Sequence, residues 1–401
     1  MSAAIPAEVN PTLLVWAREQ SGYAPELVAK RLGVKLERLE AWERGERKPT
    51  VRQTQELAKY YQRPFGVFFL PQPPSIPPLA AEYRRLPGVR PGVESPEFRL
   101  AVRVMVQRRE VALELNEELG FALTEFRSPA HMSDGPVAVG KHLRDALGIP
   151  IDEQLAWRDE WQAWREWRFA VEEAGVLVFQ FPKVPLEQTR GISLLNFPLP
   201  AVGINSKETA PGARIYSLIH ELVHVALALG NEETVALREA RSDDQWQEVE
   251  RFAEEAASEA IVPEAALRDF LQRMTIRRDA WDVGQVRTLA ARFRVTPLAM
   301  ATRLRAAAAL SWDGYLRWRA EWNDYVSTLK PRKGGIASPV DKTLGRAGRP
   351  FVQLVLEALD ANRITAVDAS RYLNLRFDHI DKLRAELRSG AAGVSGIDDG
   401  D

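Results

Sequence analysis

The chain has 401 residues, 45% of them hydrophobic, which is enough for about two to four domains and excludes a disordered polypeptide. The absence of cysteine excludes disulfides, thiol catalysis and cysteine-ligated metal sites, so any transition-metal site must draw on the five histidines and on carboxylates. With 54 Lys and Arg against 55 Asp and Glu, any affinity for nucleic acid has to be local. No signal peptide and no apolar run of roughly 18 residues is visible, so we expect a soluble cytoplasmic protein that does not enter a membrane.

The first predicted domain covers residues 8–70. Two short helical segments flank a turn at Leu32-Gly33-Val34, which is the helix-turn-helix arrangement. The pattern A-x-x-x-G-V-x-x-x-x-[ILV]-x-x-W-E-x-G-x-x-x-P runs from Ala29 to Pro49. This pattern resembles that of XRE/Cro-type helix-turn-helix domains, and the resemblance implies a domain of five helices.

The charge of this domain does not decide whether its partner is DNA or another protein. Residues 1–65 contain 11 Lys and Arg against eight Glu, a modest excess for binding phosphates. Candidate DNA contacts are the basic residues in and just after the predicted recognition helix, residues 35–44: Lys35, Arg38, Arg44, Arg47 and Lys48. Glu37, Glu40 and Glu43 in the same helix would oppose DNA binding. The alternatives are pairing with another helix-turn-helix protein, such as a substrate, or a purely structural role.

A proline-rich linker is predicted at residues 71–98, because eight of the 26 prolines lie between Pro71 and Pro96. A second domain, residues 99–270, follows and begins with helical patterns. Trp157, Trp161, Trp164 and Trp167 are spaced as on one helical face, which predicts an aromatic packing stripe.

The period changes near residue 175. The segments GVLVFQF, ISLLNF and PAVGIN are short, β-branched and aromatic, and Pro and Gly lie between them. They predict three strands of a small sheet. Helical patterns return from about residue 213, so the predicted fold class is mainly α with a small β-sheet (α+β).

The motif His220-Glu221-Leu222-Val223-His224 lies in a segment of strong helical character. A spacing of four residues places both imidazoles on one helical face, where they can hold one metal ion. Glu221 can then serve as the proton carrier for a water molecule that the ion acidifies. The other three histidines lie in unrelated contexts and are expected to be ordinary surface or packing residues.

The third ligand is expected from the next helical segment, residues 245–264. At 100° per residue its apolar residues form one stripe: Val249, Phe252, Ala253, Ala256, Ala257, Ala260 and Ile261. Glu250 falls inside this stripe, and a carboxylate directed into a core needs a partner such as a metal ion. Glu250 is therefore the preferred ligand and Glu254 the alternative. Glu248, Glu255 and Glu259 fall outside the stripe.

These two helical segments together resemble the ImmA/IrrE family of zinc metallopeptidases, and alignment on Pro263 places that family's ligand glutamate at Glu250. One difference is Glu254, where the family usually has Asn. The resemblance implies a zincin-like domain with one Zn²⁺ per chain. It also implies limited proteolysis of a regulatory protein, such as a helix-turn-helix repressor or antitoxin-like partner encoded nearby, in stress-response or mobile-element control. The rival hypothesis is a DNA-binding regulator whose peptidase-like domain only senses metal or a partner.

The rest of the chain is predicted to be helical. Residues 271–330 form a helix-turn-helix-like region, with helix, turn and helix at residues 286–304. A basic, glycine-rich stretch at residues 330–350 indicates a break. A C-terminal helical module, residues 345–388, and a disordered tail, residues 389–401, complete the prediction. The oligomeric state is left open.

Overall fold

The computed structural model of the protein describes residues 5–74, 94–233, 243–274, 276–277, 279–329 and 337–392. Two compact units make up the chain, Met1–Val104 and Met105–Asp401. The fold is mainly α with one small sheet, as predicted. Among the described residues, no helix has both the length and the apolar character that crossing a bilayer requires.

The N-terminal unit is built on four α-helices and a short 3₁₀ helix. These are α1 (Pro11–Ser21), α2 (Pro25–Leu32), α3 (Leu36–Glu43), α4 (Val51–Tyr61) and the 3₁₀ helix (Phe65–Phe69). The five predicted helices are present, and the fifth takes the tighter 3₁₀ form. Trp42, Tyr61 and Phe68 are the largest side chains of the buried core that α1 to α4 share.

A run of helices leads from here to the sheet: α5 (Pro96–Leu119), α6 (Pro136–Ala146), α7 (Ile151–Ala156) and α8 (Glu160–Glu173). Helix α5 begins inside the predicted linker, of which residues 75–93 lie outside the described residues. The predicted tryptophan stripe is confirmed in part: Trp157, Trp164 and Trp167 are buried in one core, but the four residues do not share one helical face. Trp157 follows the end of α7 and is separated from α8 by a break, and Trp161 on α8 is 48% exposed.

The sheet has three strands, β1 (Leu177–Phe181), β2 (Gly191–Leu194) and β3 (Ala201–Asn205), at the three predicted segments. Their order is β1-β3-β2. Strand β1 pairs parallel to β3, and β2 pairs antiparallel to it. Strand β2 is therefore an edge strand of this sheet.

The next helix, α9 (Pro211–Leu229), packs on β2 and β3 and is almost entirely buried. It shares one hydrophobic core with Val178, Val202 and Ile204 of the sheet. Helices α10 (Asp243–Ile261), α11 (Glu264–Arg273), α12 (Val283–Phe293), α13 (Pro297–Ala306) and α14 (Trp312–Thr328) follow. The predicted helix-turn-helix at residues 286–304 corresponds to α12 and α13. Both pack into the same core as α9.

The C-terminal helices are α15 (Pro339–Ala347), α16 (Arg349–Asp360), α17 (Ala366–Leu373) and α18 (Ile380–Ala392). The break predicted at residues 330–350 is wrong for residues 339–347, which form α15 and pack on β1. Arg108 Nη1 donates to the carbonyl of Arg346 (2.6 Å), and Arg168 Nη1 donates to that of Gly345 (3.0 Å). These cations complement the carbonyl end of α15.

The predicted C-terminal module thus starts earlier than residue 345, and its last helix continues past residue 388. Residues 389–392 of the predicted disordered tail are helical, because α18 ends at Ala392. The remaining tail residues, 393–401, lie outside the described residues.

Candidate metal centre

Helix α9 carries the predicted histidines side by side. His220 and His224 lie one turn apart, and their Nε2 atoms are 3.2 Å from each other. The His224 side chain is fully buried, and His220 lies at the edge of the core. The apolar neighbours of the motif, Leu222 and Val223 among them, fix α9 in the core. The two imidazoles are therefore held rigidly toward one point.

Glu250 on α10 completes the group. Its Oε2 lies 3.3 Å from His220 Nε2, and its Oε1 lies 3.8 Å from His224 Nε2. His220, His224 and Glu250 each offer one donor atom within 4.8 Å of the others. The structure thus brings together the three residues that the spacing and the helical stripe predicted as ligands. Among the described residues, this group includes Glu250 and not the alternative, Glu254.

The donor set fits a zinc ion. Zinc accepts imidazole nitrogen and carboxylate oxygen at about 2.0–2.2 Å in tetrahedral geometry, which separates any two donor atoms by about 3.3 Å. The observed separations of 3.2, 3.3 and 3.8 Å match that spacing. Three protein ligands also leave a fourth position open, as catalytic rather than structural zinc sites do.

Glu221 lies on α9 between the two histidines and is buried against strand β2. A Cβ atom at Gly191 would lie 2.6 Å from Cγ and 2.7 Å from Oε1 of Glu221. Only glycine therefore lets the first residue of β2 approach this carboxylate so closely. The glycine thus leaves room for the Glu221 side chain against β2.

Tyr216 lies one turn before His220, and their rings stack with centroids 6.4 Å apart. The Tyr216 hydroxyl donates to the carbonyl of Glu254 on α10 at 3.3 Å. Burial raises the pKa of Tyr216, so its hydroxyl stays protonated. These contacts connect α9 to α10 beside the candidate ligands. Burial, with Glu255 nearby, also raises the pKa of Glu254.

A polar network holds the far end of α10. Arg144 Nη1 donates to the carbonyl of Ala260 (2.8 Å), Gln154 Nε2 to that of Ile261 (3.1 Å) and Arg303 Nε to that of Val262 (2.9 Å). Two of the three donors are cations, which suit a helix C-terminus. The network comes from α6, α7 and α13, and it fixes the helix that carries Glu250.

Glu259 belongs to this network. It falls outside the apolar stripe of its helix, yet its side chain is only 8% exposed and is paired with Arg303. The Glu259 carboxylate also accepts from the backbone nitrogen of Glu264 at 3.0 Å. A helical wheel describes one helix, and the partner of Glu259 comes from α13.

Sequence reasoning missed Glu233. Its Oε2 lies 3.0 Å from Nδ1 of His224, and both side chains are fully buried. The residue lies just past the end of α9, where no helical period applies. The only signal in the sequence is the segment Gly230-Asn231-Glu232-Glu233, typical of a helix C-terminus.

The basic residues proposed for DNA lie on the surface of the N-terminal unit, and several are held by carboxylates. Arg44 Nε contacts Glu46 at 2.7 Å, and Lys48 Nζ contacts Glu8 at 2.6 Å. The Arg38 guanidinium lies 5.8 Å from the centre of the Trp42 ring. Within the described residues, Lys35 and Arg47 form no ion pair of this kind.

One carboxylate of the recognition helix, Glu43, is paired with a cation inside the N-terminal unit. Glu43 was expected to oppose DNA binding, but it accepts from Arg18 Nε at 2.7 Å with only 9% of its side chain exposed. The acidic groups of α3 that remain at the surface are Glu37 and Glu40. The helix therefore offers less repulsion to phosphates than its sequence indicated.

The fold and the site define a metallopeptidase-like domain in a protein that also has a helix-turn-helix domain. Comparison with protein families gives the same result. Residues 171–305 match the Peptidase_M78 family, described as the IrrE N-terminal-like domain, and residues 14–68 match a helix-turn-helix family. The resemblance to ImmA/IrrE peptidases and to XRE-type domains is confirmed. The peptidase match extends past residue 270 through α12 and into α13. No curated protein matches the chain.

Proposed function

We propose that the protein is a zinc-dependent endopeptidase that cleaves a regulatory protein. The observation that carries this proposal is the convergence of His220, His224 and Glu250, from two helices, beside the buried carboxylate of Glu221. A metal-sensing site would not need this acidic neighbour, whereas hydrolysis needs a group that accepts and returns a proton.

The residues have distinct roles in the proposed reaction. His220, His224 and Glu250 hold the ion, one Zn²⁺ per chain. When bound, zinc acidifies a water molecule and polarises the carbonyl of the scissile peptide. The Glu221 carboxylate would accept a proton from the water whose oxygen bonds to the carbonyl carbon. It would return that proton to the amine nitrogen as the C–N bond breaks. Gly191 leaves room for the Glu221 side chain against β2, and the apolar neighbours hold α9 in the core.

The substrate class follows from the family and from the N-terminal domain. We propose a helix-turn-helix repressor or an antitoxin-like protein encoded nearby as the substrate, with cleavage in the cytoplasm during stress-response or mobile-element control. The matched helix-turn-helix domain supports this choice, because such a domain can recognise either DNA or a second domain of its own kind.

Metal content and cleavage test the proposal. Purified protein should contain about one zinc per chain, and His224→Ala should lose it while His142→Ala, at an exposed position on α6, keeps it. Absence of zinc from the wild type would reject the peptidase. Co-expression with the product of the neighbouring gene should yield a fragment that disappears in Glu221→Gln. A fragment that persists in this variant assigns the cut to another protease.

A second candidate function is favoured by the helix-turn-helix match at residues 14–68. In this alternative the protein is a DNA-binding transcriptional regulator, and its peptidase-like domain senses metal or a partner. Mobility shifts with the gene's own promoter test it at low salt, where phosphate contacts are strongest. A shift together with unchanged substrate in the cleavage experiment would favour the regulator; the absence of a shift would reject it.

A further inference from the structure

The chain makes a tight turn directly after the metal-bearing helix. Glu232 N donates to the carbonyl of Leu227 (2.8 Å), and Asn231 N donates to that of Ala228 (3.0 Å). Asn231 has a φ of 61°, in the left-handed region that asparagine tolerates. These two bonds form a Schellman motif, which ends α9 and turns the chain back along the helix.

The turn is fixed against a second segment of the same unit. A Cβ atom at Gly230 would lie 2.2 Å from the carbonyl oxygen of Ala130, so only glycine allows this approach. Ala130 N in turn donates to the carbonyl of Ala226 on α9 at 3.0 Å. The next residues of the turn are thereby held close to α9, and Glu233 is buried beside it.

Glu233 meets His224 from the side opposite the metal group. Its Oε2 lies 3.0 Å from His224 Nδ1, and each side chain has 0% exposure. An ionised carboxylate can only accept, so Nδ1 carries the proton and donates it. The other ring nitrogen, Nε2, then keeps its lone pair, and this is the atom that lies 3.2 Å from His220 Nε2.

The contact has an energetic reason. A carboxylate buried without a partner is costly, and an imidazole that gains positive charge by binding a cation is a suitable partner for it. A carboxylate behind a ligating imidazole fixes the tautomer and the ring orientation and makes the ligand more basic. Glu250 contributes one negative charge to the group directly, and Glu233 contributes a second through its contact with His224.

We infer that Glu233 is a positioning residue of the metal centre: it holds His224 in the tautomer whose Nε2 binds the ion. The inference rests on the proposed zinc site, and it adds a residue that the motif His-Glu-x-x-His does not contain. Its neighbour Glu232 offers a matched comparison. Glu232 is 36% exposed, and its Oε1 lies 3.5 Å from Nδ1 of His131.

The test is zinc affinity of the full-length protein, measured by competition with a chromophoric chelator. Glu233→Ala should weaken binding by about 10-fold to 100-fold, the range typical of such outer groups. Glu233→Gln keeps an oxygen that can accept from Nδ1 but removes the charge, so its loss should be smaller. Glu232→Gln should bind zinc like the wild type.

Thermal unfolding separates positioning from a merely structural role. In chelator, Glu233→Gln should unfold close to the wild-type temperature, whereas the rise in that temperature on adding zinc should shrink. An equal fall with and without zinc, or unchanged zinc affinity in both Glu233 variants, would overturn the inference. If the wild type itself binds no zinc, the proposed metal centre fails, and the inference fails with it.

Discussion

Charged side chains are arranged differently around the candidate metal ligands, in the unit Met105–Asp401, and in the helix-turn-helix unit. Around α9 and α10, the charged groups are buried and come from different elements: Glu233 contacts His224, and Arg303 pairs with Glu259. In the N-terminal unit, Arg44 and its carboxylate partners, Glu40 and Glu46, lie close in sequence on the surface. The inner pair of Arg18 and Glu43 resembles the first pattern.

The difference shows which charged groups indicate a site: buried groups do so, and exposed pairs do not. Burying charge is expensive unless the groups satisfy one another, so convergence of buried groups from several elements indicates a structural or chemical purpose. Exposed ion pairs contribute little and form wherever opposite charges are neighbours. The candidate metal centre therefore stands out by its geometry, whereas the candidate DNA contacts are exposed side chains.

The largest stability effect is expected for the buried pair. Arg303→Ala leaves Glu259 without its cation in the core. It should destabilise the unit Met105–Asp401 by about 3–5 kcal/mol. Arg44→Ala, at an exposed position in the other unit, should leave stability unchanged. Urea unfolding in chelator, followed by circular dichroism, measures both. Equal stability of the two variants would break the comparison between the units.

A smaller effect, on activity, is expected at Gly191. In Gly191→Ala the new Cβ atom collides with Glu221 and displaces its carboxylate, and a shift of about 1 Å can reduce turnover by about 100-fold. Zinc content should not change, because Gly191 is not a ligand. Gly66→Ala is the control, since a Cβ atom there meets nothing within 4 Å. If Gly191→Ala contains normal zinc and cleaves its substrate as fast as the wild type, Gly191 has no role in placing Glu221.

The DNA contacts are expected to differ among themselves by a few-fold in affinity. If the N-terminal unit binds DNA, Lys35→Ala and Arg47→Ala should each reduce the salt dependence of log K by about one unit per lost phosphate contact. Arg44→Ala and Lys48→Ala should have smaller effects, because carboxylates already hold these cations. Mobility shifts at several salt concentrations measure the slopes. Identical slopes for all four variants would show that local pairing does not matter.

The smallest effect concerns pH. Burial raises the pKa of Glu254 in the folded state, so its contribution to stability is fully present below the unfolded pKa of about 4.3 and is lost as the pH rises through the folded value. Glu254→Gln should therefore unfold at a slightly higher temperature than the wild type at pH 8, and the difference should shrink toward pH 5. Melting curves in chelator test this. A difference independent of pH would point to packing instead.

The sequence predicted what depends on a single helix. The spacing of His220 and His224 and the direction of Glu250 within an apolar stripe both follow from 100° per residue, and the structure brings these residues together. The three strands also matched, because their β-branched runs are short and bounded by Pro and Gly. Where a helix breaks, the same reasoning failed: Trp157 follows the end of α7 and a new helix begins at Glu160, so Trp157 does not share a helical face with Trp161.

Tertiary structure alone decided the contacts around the site. Glu259 falls outside the apolar stripe of its helix but is buried with Arg303 of α13. Residues 339–347 were predicted to lie in a break but form α15, which packs on β1. Glu233 reaches His224 only because the chain reverses after α9. A local period determines which way a side chain points from its own helix. The partner that it meets depends on the tertiary path of the chain, which the local helical period does not determine.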